Sequence, residues 1–152
     1  MIEHAEGRIL GIDPGERRIG VAVSDISGSI ATPFQVVKHE SRETDANNIL
    51  EIARSKEAGL IIIGAAYGLD GEETPASRKA TRLAEVIMEK SKIKVILWDE
   101  SGSTKKAREI RLLAGSGRKQ RRGHQDEIAA AFILQDFLDN AYLLHTKMEN
   151  GS

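Results

Sequence analysis

The 152-residue chain contains no cysteine, which excludes disulfides, thiolate nucleophiles and zinc sites built on sulfur. It also lacks any apolar run close to the roughly 18 residues that a membrane helix requires, so it reads as a protein that stays in water. No G-x-x-x-x-G-K-[ST] stretch is present, which excludes a P-loop, and "GIDPGERRIG" misses the G-x-G-x-x-G spacing of dinucleotide sites. The histidines, His4, His39, His124 and His145, are scattered without the spacing of a metal site. Repeats, low-complexity tracts and linkers are missing too. The N-terminal "MIEHAEGR" carries acidic residues and no apolar segment, so it does not read as a secretory signal. With the absence of cysteine, this points to a cytoplasmic setting.

Net charge is −1, so the molecule as a whole does not attract polyanions. Its distribution is uneven. "KKAREIRLLAGSGRKQRRG", residues 105–123, holds eight Lys or Arg against one Glu. The length suits one domain with a continuous core, here residues 1–152 with the core over about 8–140.

The pattern along the chain gives an element order. Residues 8–13 and 17–24 are short apolar runs rich in branched side chains, and "IATPFQVVK" forms a third, with Pro33 near an edge or a bulge. After these three strands, an antiparallel meander, comes a helix that carries Ala46, Ile49, Leu50 and Ala53 on one face and ends at Gly59 as its C′ residue. "LIIIGA" reads as a buried strand. Thr74 and Pro75 open the next helix as N-cap and first helical residue. "KVILW" is the fifth strand, 104–114 a basic helix, 115–123 a basic loop and 126–139 an apolar helix, with a polar tail expected to fray. This order predicts an α/β fold: a mixed five-stranded sheet with three antiparallel N-terminal strands and helices on both faces.

Acidic residues stand at three points where ligands could gather. Asp13 ends the first strand in "DPG", the pair Asp99 and Glu100 follows the fifth strand in "LWDES", and Asp126 opens the last helix. Each has a plain reading: turn chemistry for Asp13, a solvated loop for Asp99 and Glu100, and helix-dipole stabilisation for Asp126. Ligands in open α/β sheets gather at the carboxyl ends of strands, so the three can share one mouth. Carboxylates that close together are costly unless a cation neutralises them. An all-oxygen ligand set selects magnesium or manganese over zinc, and two such ions about 3.5–4 Å apart serve phosphodiester hydrolysis. Arg118, Lys119, Arg121 and Arg122, just before Asp126, would hold a phosphate backbone over that mouth. Trp98 reads as core or rim, and Asp70 as a turn residue.

"ILGIDPGERRIGVAVSD", "IIIGAAYGLDGEE", "VILWDES" and "RRGHQDEIAAAFILQDFLD" occur in an order that resembles the YqgF/RuvX family of Holliday junction resolvase-like proteins, described as nucleases that mature the precursor of 16S rRNA. The resemblance implies a ribonuclease H-like fold and gives Asp13, Glu100 and Asp126 the places of that family's metal-binding catalytic acids. It departs in three places: "DES" stands for "DER", so that Ser101 replaces an arginine; "GAAYGLDG" stands for "GLPLNMDG"; and "GHQD" lacks a β-branched residue before the aspartate. The implied partner is nucleic acid, with structured RNA preferred and a four-way DNA junction as the alternative substrate. A membrane partner is not expected, and monomer against homodimer stays open. An actin-like phosphate site would need a second comparable domain, for which the chain is too short. A non-catalytic RNA-binding or ribosome-associated module remains a rival.

Overall fold

A computed structural model of the chain describes residues 7–100 and 125–151. Strands β1 (Arg8–Pro14), β2 (Arg18–Ser24) and β3 (Ala31–Lys38) are followed by helix α1 (Arg42–Ser55), strand β4 (Ala58–Ala65), helix α2 (Pro75–Lys90), strand β5 (Lys94–Asp99) and helix α3 (Gln125–Gly151). One sheet contains all five strands in the order β3-β2-β1-β4-β5. The first three pair antiparallel, while β1–β4 and β4–β5 are parallel. The predicted mixed sheet with a three-stranded meander is therefore the observed one. The basic helix and loop read at 104–123 lie outside the described residues.

Alternation along the strands divides the core in two. Leu10, Ile12, Ile19, Val21, Ile61 and Ile63 point to one face, where they pack with Ala46, Ile49, Ala80, Leu83 and Ile87 of α1 and α2. Ile9, Ala22, Leu60 and Ile62 point to the other, against Ala130, Ile133, Leu134, Phe137 and Leu138 of α3. The strands next to β1 are thus covered on both sides, which explains the unbroken apolar run "LIIIGA" in β4.

Local chemistry sets the ends of the elements. Ser41 caps α1 by accepting the Thr44 N–H. Thr74 and Ser77 form a reciprocal capping box on α2, with Pro75 at its start. Pro33 lies on the edge strand at a bulge, where Val21 and Ala22 pair with Gln35 and Pro33.

Two helix ends differ from the sequence reading. Gly59 lies within β4, and Glu57 takes the left-handed position after α1, at φ 55°. The Lys56 and Glu57 N–H groups close the helix onto Ile52 and Arg54, and the Glu57 carbonyl accepts the Arg8 N–H, so backbone bonds offset the strain of a non-glycine residue there. At the other end, α3 does not stop near Asp139 but runs to Gly151. Between Asn140 and Asn150 there is no proline or glycine to end it.

Candidate functional site

In β1, Ile9 and Gly11 face α3. Two residues on, Asp13 emerges on that same side, half-buried at the strand's carboxyl end. In β5 and just beyond it the alternating set is Ile96, Trp98 and Glu100. The first two pack against the α3 cluster, and the Glu100 N–H extends the ladder by donating to the Ala65 carbonyl at 3.2 Å. Glu100 thereby keeps strand parity and turns its carboxylate to the α3 side.

Two glycines make room for this arrangement. Gly20 is the cross-strand partner of Asp13, and Gly64 stands one residue past the last parallel pair, Ile12 with Ile63. Asp13 is therefore flanked on its own face by two positions without side chains, each about 4.8 Å away across the sheet. A Cβ on Gly20 would lie 1.9 Å from the Asp126 carbonyl oxygen, and one on Gly64 would lie 2.6 Å from Glu100 Oε2. The first turn of α3 thus rests on Gly20 and the Glu100 carboxylate lies over Gly64. Gly11 completes the small-residue strip, since a Cβ there would meet Leu134 Cβ at 2.6 Å.

All three acidic residues read from the sequence thus reach one end of one face. Their carboxylates do not yet form a ligand cluster: among the described residues, no three His, Asp or Glu side chains are grouped to hold a metal ion. Asp126 Oδ2 lies 3.4 Å from Arg18 Nε, with 38% of the aspartate side chain and 58% of the arginine exposed. An exposed pair of this kind contributes about 1 kcal/mol or less, so the Asp126 side chain can leave it at small cost. Arg18 is a cation beside the acids that the sequence reading missed. Its strand parity with Gly20 is the signal that would have found it. Arg118, Lys119, Arg121 and Arg122 lie outside the described residues, as does Ser101.

Trp98 belongs to the rim of the α3 core. Its Nε1 donates to Asp136 Oδ2 at 2.7 Å, and its ring meets Phe137 edge-on at 5.3 Å. This pins β5 to the fourth turn of α3, and with it the segment that carries Glu100. Asp70 is exposed in the turn closed by the Gly71 N–H onto Gly68, as expected of a turn residue.

Comparison with known proteins agrees with this architecture. Residues 7–140 match the family described as RuvX, Holliday junction resolvase. A protein of Thermoanaerobacter pseudethanolicus described as a candidate pre-16S rRNA nuclease is 37% identical over 88% of this chain and 96% of its own length. One of Syntrophus aciditrophicus with the same description is 40% identical over 87% and 88%. Among solved structures, RuvC of T. thermophilus in complex with a Holliday junction substrate superposes with a TM-score of 0.54 at 15% identity, covering 89% of this chain and 96% of that one. The Fowlpox virus resolvase bound to junction DNA gives 0.53 at 14%, covering 88% and 98%. These structural likenesses identify the fold as that of the RuvC-like resolvases, which is ribonuclease H-like.

Proposed function

The chain belongs to the RuvX family, and on that premise we propose that it is a metal-dependent nuclease hydrolysing phosphodiester bonds in structured nucleic acid, with the precursor of 16S rRNA as its main substrate. The observation that carries this reading is the delivery of Asp13, Glu100 and Asp126 to one end of one sheet face, over two glycines. The relatives described as candidate pre-16S rRNA nucleases support the choice of RNA.

Asp13, Glu100 and Asp126 are the residues that would hold the metal. Their donor set is oxygen alone, which fits magnesium or manganese, and Glu100 Oε2 is already buried over Gly64. When bound, such an ion supplies Lewis-acid stabilisation of charge on the phosphoryl oxygens and lowers the pKa of water. Asp13 is the fixed member, set by the strand ladder. Asp126 is the mobile one, exchanging Arg18 for the shared site. Arg18, released from Asp126, is then free to meet a phosphate oxygen of the substrate. Arg118, Lys119, Arg121 and Arg122 precede α3 directly in the chain and would hold the backbone on either side of the cut. The reaction takes place in the cytoplasm.

A second reading, resolution of four-way DNA junctions, is favoured by the family's description. It would require two copies acting on two strands. The test is a cleavage assay of the full chain with manganese, comparing structured precursor RNA with a four-way DNA junction, for the wild type and Asp126→Asn. The RNA is expected to be cut, and the variant to lose on the order of 10³-fold in rate while still binding RNA. Cleavage of the junction alone would favour the second reading. Binding without cleavage of either substrate, or full activity of the variant, would overturn the nuclease reading.

A further inference from the structure

A cleft lies on the sheet face away from the acids. It has a volume of about 590 Å³ and is lined by Arg42, Arg78, Lys79, Arg82, His39 and Asp45. Its floor includes Pro14 and Ile19, the chain neighbours of Asp13 and Gly20. Because neighbours in a strand point to opposite faces, the cleft stands directly behind the acidic site, across the thickness of the sheet.

The charge inside this cleft is one-sided. Four permanent cations face it, three of them from the first two turns of α2 and one at the first residue of α1. Asp45, its one carboxylate, is 2% exposed and turned inward, where it is bonded to His39 Nδ1 and accepts the Glu40 N–H at 3.0 Å. Glu73 lies 3.6 Å from Arg78, but both side chains are more than half exposed and the pair is weak. Arg42, Arg78 and Arg82 are all exposed. Lys79 Nζ donates to the Gly15 carbonyl, so the cleft is tied to the turn that follows Asp13. Both α1 and α2 also start here, adding the positive ends of two helices. In a chain of net charge −1, such a concentration favours an anionic ligand.

We propose that this cleft is a second phosphate-binding subsite, taking a backbone phosphate of the nucleic acid on the side of the β1–β2 turn opposite the acids. The ligand is a phosphate group, matched by guanidinium forks and an ammonium. A nucleic acid strand is the favoured source, because one that passes over the exposed turn at Glu16 and Arg17 reaches both faces of the sheet end. The inference rests on the nuclease reading for its substrate class, though its test needs no cleavage.

The experiment measures binding of a fluorescent RNA hairpin with a single-stranded extension to full-length Asp13→Asn protein across a salt series. Adding Arg42→Ala and Arg82→Ala should weaken binding about tenfold and lower the slope of log K against log salt by about 1 to 2. Replacing both by Lys, which keeps the charge, should restore most of the affinity. A control, Arg54→Ala with Lys92→Ala, removes the same charge at the other end of the sheet, where both line a separate hollow, and should leave binding as it was. Unchanged affinity and slope in the cleft variant, or an equal loss in the control, would overturn the subsite. So would inorganic phosphate shifting the amide resonances of residues 78–82 while RNA affinity is indifferent to the cleft arginines, since the cleft would then serve a small anion. If the wild type cuts neither RNA nor a junction but the cleft variant still loses RNA affinity, the nuclease reading fails and the subsite stands.

Discussion

The two faces of the central strands are both apolar but differ toward the carboxyl end of the sheet. Toward α1 and α2, β1, β2 and β4 present Leu10, Ile12, Ile19, Val21, Ile61 and Ile63, all fully buried. Toward α3 the same strands also bury Ile9, Ala22, Leu60 and Ile62, but at Gly11, Gly20 and Gly64 the side chains stop, and Leu134, the Asp126 backbone and the Glu100 carboxylate with Ile133 take the space. One face is aliphatic along all three strands; the other gives way to glycine toward one end. The first turn of α3 can approach the sheet only because Gly20 has no Cβ, and that approach carries Asp126 to the cross-strand neighbour of Asp13. Strand parity thus sets the proposed site apart from the aliphatic face, within the same few residues of chain.

This contrast can be broken from either side. Ile61→Ala, in the fully buried aliphatic face, should cost about 3 kcal/mol in chemical denaturation, through lost burial and the cavity left behind. The folded protein should still cleave at close to the wild-type rate. Gly20→Ala should cost less, about 2 kcal/mol, by overpacking against the Asp126 backbone. Its effect on rate should be the reverse, a loss of about 10²-fold, since a shift of roughly 1 Å in a site is enough for that. Were the two variants to lose rate in proportion to stability, the division of labour between the faces would be wrong.

The hairpin tip between β2 and β3 belongs to neither face and gives the smallest effect. The Asp25 carboxylate accepts the Ile30 N–H, the Ser27 hydroxyl and the Ser29 N–H, which together hold its pKa at about 2. Its folded value is thus below the ordinary 3.8, so the turn's contribution is complete above about pH 4 and is lost as pH falls through 2. An NMR titration of the Asp25 side-chain carbon should find its midpoint near 2. A midpoint near 4 would show that these bonds do not hold in solution.

What the sequence discloses divides along the same line. The strands, the Thr74–Pro75 helix start, the edge position of Pro33 and the three acidic residues are all local signals: periodicity, caps and an acid after an apolar run. Glu57 as the left-handed residue after α1 was hidden because Gly59, two positions on, offers the more familiar chemistry. The length of α3 was hidden because Asp139 and Asn140 interrupt the apolar pattern, although Ala141, Tyr142, Leu143 and Leu144 resume it and no proline or glycine follows before Gly151. The glycine columns and the arginine cleft were illegible for a different reason. Gly20 beside Asp13, Glu100 over Gly64, and Arg42 facing Arg82 are juxtapositions made by strand register and by helix packing, which no spacing in a single chain records.

Asp13, Glu100 and Asp126 are proposed to share one metal ion. The most direct test is calorimetric titration of manganese into the full chain, for the wild type, Asp13→Asn, Glu100→Gln and Asp126→Asn. Each single variant should weaken manganese binding at least about tenfold, as expected when a ligand is taken from a common ion. Asp13→Asn protein that binds manganese with wild-type affinity would contradict it.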